Sequence, residues 1–405
     1  MMRISPGAVM PGYQAQAGTQ AIFLLATAFV VVAPLAQTGL LATPMKLLRI
    51  SICLALLWFG RHALQGLTKS SMVLAWLAFW SCFSAAAIWS EAPLVGLLLK
   101  GTALLAFLAG VVLGRTVGTT QQLQHCTRYL TVAALLGAAA IATMGSAGRA
   151  NFEVVGRLSV ANVNAVFIGI SIAPMVLVCL YQFLVEQSRV WKMVAALAGV
   201  VSLILLLGTG SRGSLVAAVL GFLTMFACIR RGRLPLLICV ALAIPAVFWL
   251  LQSPDGSLLG IDRMLERGAE NTRDHIWAFG WNKIFSENPV IGTGWLTWNG
   301  KSSASLMNVG LQVLAETGTF GGLLFAGVMT GLLVLLVKGF FGSRFHASGT
   351  PHAGLVVGGL VTIMVCGVFE SALLFGTTSH TLLFGMFLAI LERMTATRRT
   401  VAHAR

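Results

Sequence analysis

The chain has 405 residues, of which 57% are apolar and only 10% charged, and its mean hydropathy is +0.88. A soluble domain carries roughly 25% charged residues, so a water-soluble globule is excluded and an all-α integral membrane protein is expected. The net charge of +15 does not make a nucleic-acid footprint, because the basic residues are spread over loops between apolar runs rather than gathered on one folded patch.

Residues 1–18 are polar, contain Gly and Pro and carry a single Arg3. They lack the charged start and immediate apolar core of a signal peptide, so residues 1–19 read as a cytoplasmic tail. About twelve apolar stretches follow, each near the roughly 20 residues that cross a bilayer: 20–39, 47–65, 71–90, 94–114, 128–146, 164–184, 190–208, 213–229, 234–251, 318–338, 353–372 and 375–393. Arg49 and Lys100 fall inside the second and fourth and leave their ends open. The expected organisation is nine transmembrane helices over 20–251, a large periplasmic loop with short helices over 252–317, three helices over 318–393 and a basic cytoplasmic tail over 394–405. The seven cysteines are scattered, with no CxxC and no Cys/His cluster, so neither a metal site nor a disulfide framework is expected.

Orientation follows from the short-loop Lys and Arg residues. With the N-terminus in the cytoplasm, Arg61, Lys69, Arg115, Arg128, Arg189, Lys192, Arg230, Arg231, Arg233, Lys338, Arg344 and the C-terminal arginines fall inside. Lys46, Arg149, Arg157 and Arg212 fall on the other face. The loop from about Gln252 to Glu316 also falls there. It holds Asp255, Asp262, Glu266, Glu270, Asp274, Glu287 and Glu316, with Arg263, Arg267, Arg273, Lys283, Lys301, His275 and four tryptophans. A loop of that length and content is more than a connector. Trp277, Trp281, Ile284 and Phe285 recur at helical spacing and Pro289 ends the run, which predicts a helix with an aromatic face at the membrane surface.

Three segments carry candidate chemistry. In Thr209-Gly210-Ser211-Arg212-Gly213-Ser214 the glycines allow a tight turn that opens a helix. A helix N-terminus attracts anions, and Arg212 adds a bidentate fork suited to phosphate. The competing reading is an interfacial Arg that steadies the turn. Arg157 precedes the sixth span with Asn162 and Asn164 at its mouth, and Arg273 precedes the aromatic helix. If the three arginines converge, they suit a di-anionic headgroup such as a lipid pyrophosphate.

In order and spacing these features resemble the O-antigen ligase and Wzy-type polymerase superfamily along almost the whole transmembrane chain. The matching pieces are Asn164 opening a helix, "TGSRGS", Arg273, "ENPVIGTGW" and "MNVGLQVLAETGTFGG". Where ligases of the superfamily carry a functional His, this chain has Met307, followed by Asn308, Leu311, Glu316 and Gly318. A thioether cannot accept the proton a His accepts, so the ligase mechanism does not carry over intact.

The resemblance implies a metal-independent, GT-C-like glycosyltransferase of the bacterial inner membrane that needs no cofactor. Its donor is an oligosaccharide on undecaprenyl pyrophosphate, its acceptor a glycan or lipid A-core, and its active face periplasmic. Arg212 and Arg273 would stabilise the leaving pyrophosphate, with Arg157, Asn164 and Ser211 binding it. Glu316 is the first candidate base, set against a helix-terminal Glu paired with a Lys or Arg. His275 is the second, set against a solvated surface His. Asn308 would orient a sugar hydroxyl or cap a helix, and Trp277 would stack on a sugar ring or join an interfacial belt. A polysaccharide polymerase is the favoured reading. The alternatives are the ligase, a transporter or flippase, and a catalytically silent relative that binds lipid-linked glycan.

Overall fold

The structure is a computed structural model that describes residues 11–35, 42–65, 67, 70–144, 150–151, 159–160, 165–228, 274–294, 297–298, 302–303, 306–341, 351–370 and 379–402. Among these, the first eight α-helices are α1 Pro11–Leu35, α2 Ala42–Phe59, α3 Ser71–Ala85, α4 Pro93–Thr116, α5 Thr120–Met144, α6 Ala165–Val185, α7 Arg189–Gly208 and α8 Arg212–Ala227. Four more are α9 Asp274–Glu287, α10 Val309–Phe341, α11 Pro351–Phe369 and α12 Ser379–Ala402. Two short 3-10 helices, Arg61–Leu64 and Ala86–Trp89, and four two-residue strands form the other regular structure described. β1 (Ala150–Asn151) pairs antiparallel with β2 (Ser159–Val160), and β3 (Thr297–Trp298) with β4 (Ser302–Ser303).

Among the described residues, six segments are long and apolar enough to cross a membrane: Ser71–Trp89, Pro93–Thr116, Val166–Val185, Arg189–Gly208, Val309–Val337 and His352–Phe369. Gly18–Ala33 and Arg212–Ala227 are shorter apolar helices. The chain is therefore a multi-pass helical membrane protein. The ninth apolar stretch read from the sequence, 234–251, lies outside the described residues, and each of the other stretches falls on a helix. The bounds differ in informative ways. α1 starts at Pro11, inside the stretch read as a tail, and α12 runs on to Ala402 through most of 394–405. α10 starts at Val309 and is bent at Gly318, whose φ of 64° and ψ of −164° are not helical.

Aromatic side chains fill the centre of the bundle. Trp76, Phe79, Trp80 and Phe83 of α3 are buried against Phe107 of α4, Phe325 of α10 and Phe384 of α12. Trp76 and Phe384 meet edge-on at 4.7 Å, a geometry their ring quadrupoles favour. Two helix pairs pack backbone to backbone through small residues: α4 with α12 at Gly110, Gly114 and Gly385, and α8 with α11 at Gly221, Gly354 and Gly358. Close approach of this kind is the usual source of helix association in lipid, where no hydrophobic drive separates one apolar surface from another.

The bundle has two unlike ends. At one, Arg115 Nη1 donates to the carbonyls of Ala63 and Gln65 at 3.2 and 3.4 Å. Arg393 Nη1 donates to Arg115 O and Val117 O at 2.7 and 3.1 Å. Ser70 donates to Glu392, and Arg128 binds Glu186. The other end carries the α7–α8 turn, the end of α3, the turn after α9 and the kink of α10.

Candidate functional site

At this second end, the turn after α9 and the kink of α10 are built for each other. Pro289 cannot continue α9, and the chain turns through Gly292 and Gly294, with φ of 73° and 75°. The kink at Gly318 leaves neighbouring helix groups without ladder partners, and a buried peptide group must find one. The turn supplies them. Thr293 N–H donates to Ala315 O at 2.9 Å and Gly294 N–H to Glu316 O at 3.0 Å. In return Thr319 N–H donates to Pro289 O at 2.9 Å and Phe320 N–H to Val290 O at 3.2 Å. The backbone of Gly318 lies in a region open essentially to glycine alone, and a Cβ there would strike the Val290 carbonyl. A Cβ on Gly294 would sit 2.7 Å from Ala86 O, so the turn is wedged between α10 and the end of α3.

Directly beneath lies an enclosed ion pair. Lys100 Nζ of α4 is 2.7 Å from Glu316 Oε2 of α10, and both side chains have 0% exposure. The ammonium sits 4.0 Å from the centre of the Phe83 ring, a favourable cation–π placement. Among the described residues neither Lys100 Nζ nor Glu316 Oε2 has a hydrogen-bond partner outside this ion pair. Gln312 Nε2 donates to the other Glu316 oxygen, and Gln312 Oε1 accepts the Leu306 N–H at 2.8 Å. Leu306 O in turn accepts Trp277 Nε1–H at 3.0 Å. Ile276 and Phe279 of α9 pack with Leu306, Leu311, Leu314 and Ala315. Trp277 is thus a half-buried tether and Trp281 is exposed.

Asn308 caps α10. Its Oδ1 accepts Leu311 N–H at 2.9 Å, and its Nδ2 donates to Val368 O at the end of α11 at 3.0 Å. The residue before it, Met307, has a φ of 51°, a conformation in which Asn, Asp and His are enriched and a long apolar side chain is uncommon.

The α7–α8 turn reaches the same end of α11. Gly210 supplies a φ of 57°, and Arg212 is the first residue of α8 and exposed. Ser211 is buried, with its Oγ 2.8 Å from Ser214 Oγ, and its side chain makes no cap hydrogen bond to the first turn of α8. A Cβ on Gly213 would lie 2.6 Å from Phe369 Cβ, and one on Gly169 of α6 would lie 2.9 Å from Thr209 Oγ1. Buried Glu370 follows Phe369.

The structure therefore brings Arg212 and Ser211 to the α11 end that also receives Asn308, while Glu316 and Trp277 belong to the network under the adjoining turn. Arg157, Asn164 and Arg273 lie outside the described residues. His275 is on α9, and its side chain is outside the described part. Glu316 has the lysine partner that was set against its reading as a base. Lys100, Gln312 and Leu306 were not singled out from the sequence. The available signal was a lysine inside "PLVGLLLKGTALLAFLAG", because a charge in such a run needs a partner.

No curated protein matches the chain. Residues 197–326, about a third of the chain, match the family model described as O-Antigen ligase. That segment contains the α7–α8 turn, α9, the glycine turn, Met307, Asn308, Glu316 and the Gly318 kink, and the match supports the resemblance to the O-antigen ligase and Wzy-type superfamily.

Proposed function

We propose that this protein is a glycosyltransferase of the bacterial inner membrane that works on its periplasmic face and polymerises a polysaccharide from undecaprenyl-pyrophosphate-linked repeat units. The observation that carries the reading is the meeting of the Arg212 turn and the Met307–Asn308 segment on one end of α11, within a chain that matches the O-Antigen ligase family. An acceptor hydroxyl attacks the donor's anomeric carbon, and the bond from that carbon to the pyrophosphate oxygen breaks. The lipid pyrophosphate leaves with the electron pair. Arg212 at the first turn of α8 neutralises the growing charge together with Arg273, while Ser211, Arg157 and Asn164 complete the headgroup site. The acceptor's proton passes to His275, and Asn308 and Trp277 border the acceptor side. Glu316, enclosed with Lys100, has no open approach to an acceptor and acts from inside the fold.

Polymerase is favoured over ligase because Met307 stands where ligases have His. In reconstituted liposomes given lipid-linked repeat units, a product ladder that grows without lipid A-core is expected. A product formed only with lipid A-core would make the protein a ligase. Lipid-linked glycan moved across the bilayer with no new glycosidic bond would make it a transporter, and binding without product would make it a silent relative. Met307→His fits the backbone at φ 51°. A gain of transfer to lipid A-core in that variant would reveal a dormant ligase.

A further inference from the structure

We infer that Lys100 is a positioning residue for the transfer reaction, acting through Glu316 and Gln312 on the Leu306–Asn308 segment; the inference rests on the function proposed above. Four observations carry it. The Lys100–Glu316 pair is fully enclosed and joins two helices far apart in sequence. Among the described residues Lys100 Nζ and Glu316 Oε2 have no hydrogen-bond partner outside their ion pair, so removing one strands the other in a dry interior. The second Glu316 oxygen passes the linkage on through Gln312 to the Leu306 N–H, and Leu306 O holds Trp277 of α9. Finally, the Glu316 carbonyl accepts Gly294 N–H from the glycine turn, so one residue holds the turn by its backbone and the segment before α10 by its side chain.

The direction of every bond in this relay is fixed. Lysine and the glutamine amide can only donate to the carboxylate, and the glutamine oxygen can only accept from the Leu306 amide. Gln312 is thereby locked in one amide orientation, and Leu306 in one place. Met307 and Asn308 follow Leu306 directly, and Asn308 reaches Val368 at the end of α11 where the Arg212 turn also packs. Lys100 lies outside the matched segment 197–326. In this account the scaffold, through a lysine of α4, sets the distance between the acceptor-side segment and the pyrophosphate-side turn. A misplacement of about 1 Å in such an arrangement costs about a hundredfold in rate.

The test uses the full-length protein in nanodiscs, with wild type, Lys100→Met, Lys100→Met/Glu316→Gln and Gln312→Leu. Two readouts are taken: steady-state transfer kinetics, and amide hydrogen exchange over residues 303–310 with residues 189–208 as reference. Lys100→Met is expected to lower kcat at least tenfold with KM for the lipid-linked donor within twofold, and to raise exchange over 303–310 only. The double variant, which removes the stranded carboxylate, is expected to recover at least half of the lost rate on a logarithmic scale. Gln312→Leu leaves the ion pair in place and answers the same question if Lys100→Met does not fold; it is expected to reproduce both effects. Unchanged exchange over 303–310 overturns the inference whether or not the wild type forms product. Raised exchange with unaltered kcat, or a loss residing only in KM, overturns the role in the reaction. A double variant no better than the single overturns the ion-pair route. A wild type without product overturns the transfer reading itself, while the exchange still decides whether Lys100 holds the segment.

Discussion

Lys100–Glu316 and Arg128–Glu186, two carboxylate–cation pairs among the described residues, lie at opposite ends of the bundle and are built on different principles. Lys100–Glu316 is closed on all sides, with 0% exposure of both side chains, and its charges have a ring and one amide for company. Arg128–Glu186 is a two-pronged pair at 2.7 and 2.9 Å whose arginine keeps 25% side-chain exposure. Glu186 also accepts from Gln182 and from the N–H groups of Gln187 and Ser188. The rim pair spreads its bonds over many donors and has water nearby. The inner pair concentrates them, so each member depends on the other. Redundancy suits a fastener between helices, and dependence suits a part that must stay in one place.

The comparison is tested most strongly by removing the cation from each pair. Lys100→Met is expected to cost about 3–5 kcal/mol of stability in detergent unfolding, because it leaves a buried carboxylate unpaired. Equal losses in Lys100→Met and Arg128→Met would break the contrast. Next in size is a cation that works at the surface: Arg212→Ala is expected to raise the barrier of transfer by about 2–4 kcal/mol with little change in unfolding. Arg212→Lys, which keeps the charge and loses the fork, should fall between. Wild-type rates in both variants would remove Arg212 from the pyrophosphate site. Gly318→Ala should cost about 1–3 kcal/mol from its backbone alone, and it should loosen the turn at 289–294, as protease accessibility there would report.

The rim pair gives the smaller effects. Arg128→Met is expected to cost about 1–2 kcal/mol. Its pH dependence is also specific. The Arg128 guanidinium, helped by the Ser188 and Gln187 amides, holds the Glu186 carboxyl down at about 2 against an ordinary value of 4.5. A depressed carboxylate contributes stability that is complete above its unfolded value and is lost as pH falls. The contribution should fade between about pH 4.5 and pH 2, and Glu186→Gln should flatten that part of the stability profile. An acid limb unchanged in the glutamine variant would count against the pairing.

The helices were legible because their signal is local: runs of about 20 apolar residues survive any tertiary arrangement. The glycine turn after Pro289 and the Asn308 cap were legible for the same reason. What was hidden is relational. Nothing in "ENPVIGTGW" says that its amides will fill the gap opened at Gly318, although the glycine two residues after Glu316 was in view. The β3–β4 pairing is a second relational feature, absent from a reading built on helical periods. The partner of Glu316 is the hardest to see, because a lysine inside an apolar run also reads as the end of a helix. A charge within an apolar run is better treated as half of a pair still to be found.

The close packing of α4 against α12 bears on how the protein is made. Gly110 and Gly114 open a slot in α4 that is filled by the backbone around Leu382 and Met386. α4 enters the membrane early in synthesis and α12 late, so the slot stands open to lipid while the intervening helices are inserted. The bundle closes only when the C-terminal part of the chain arrives. Loss of that part would therefore be felt first at α4, in the wall that carries Lys100, and a nascent chain stalled before α12 would be a marked substrate for membrane quality control.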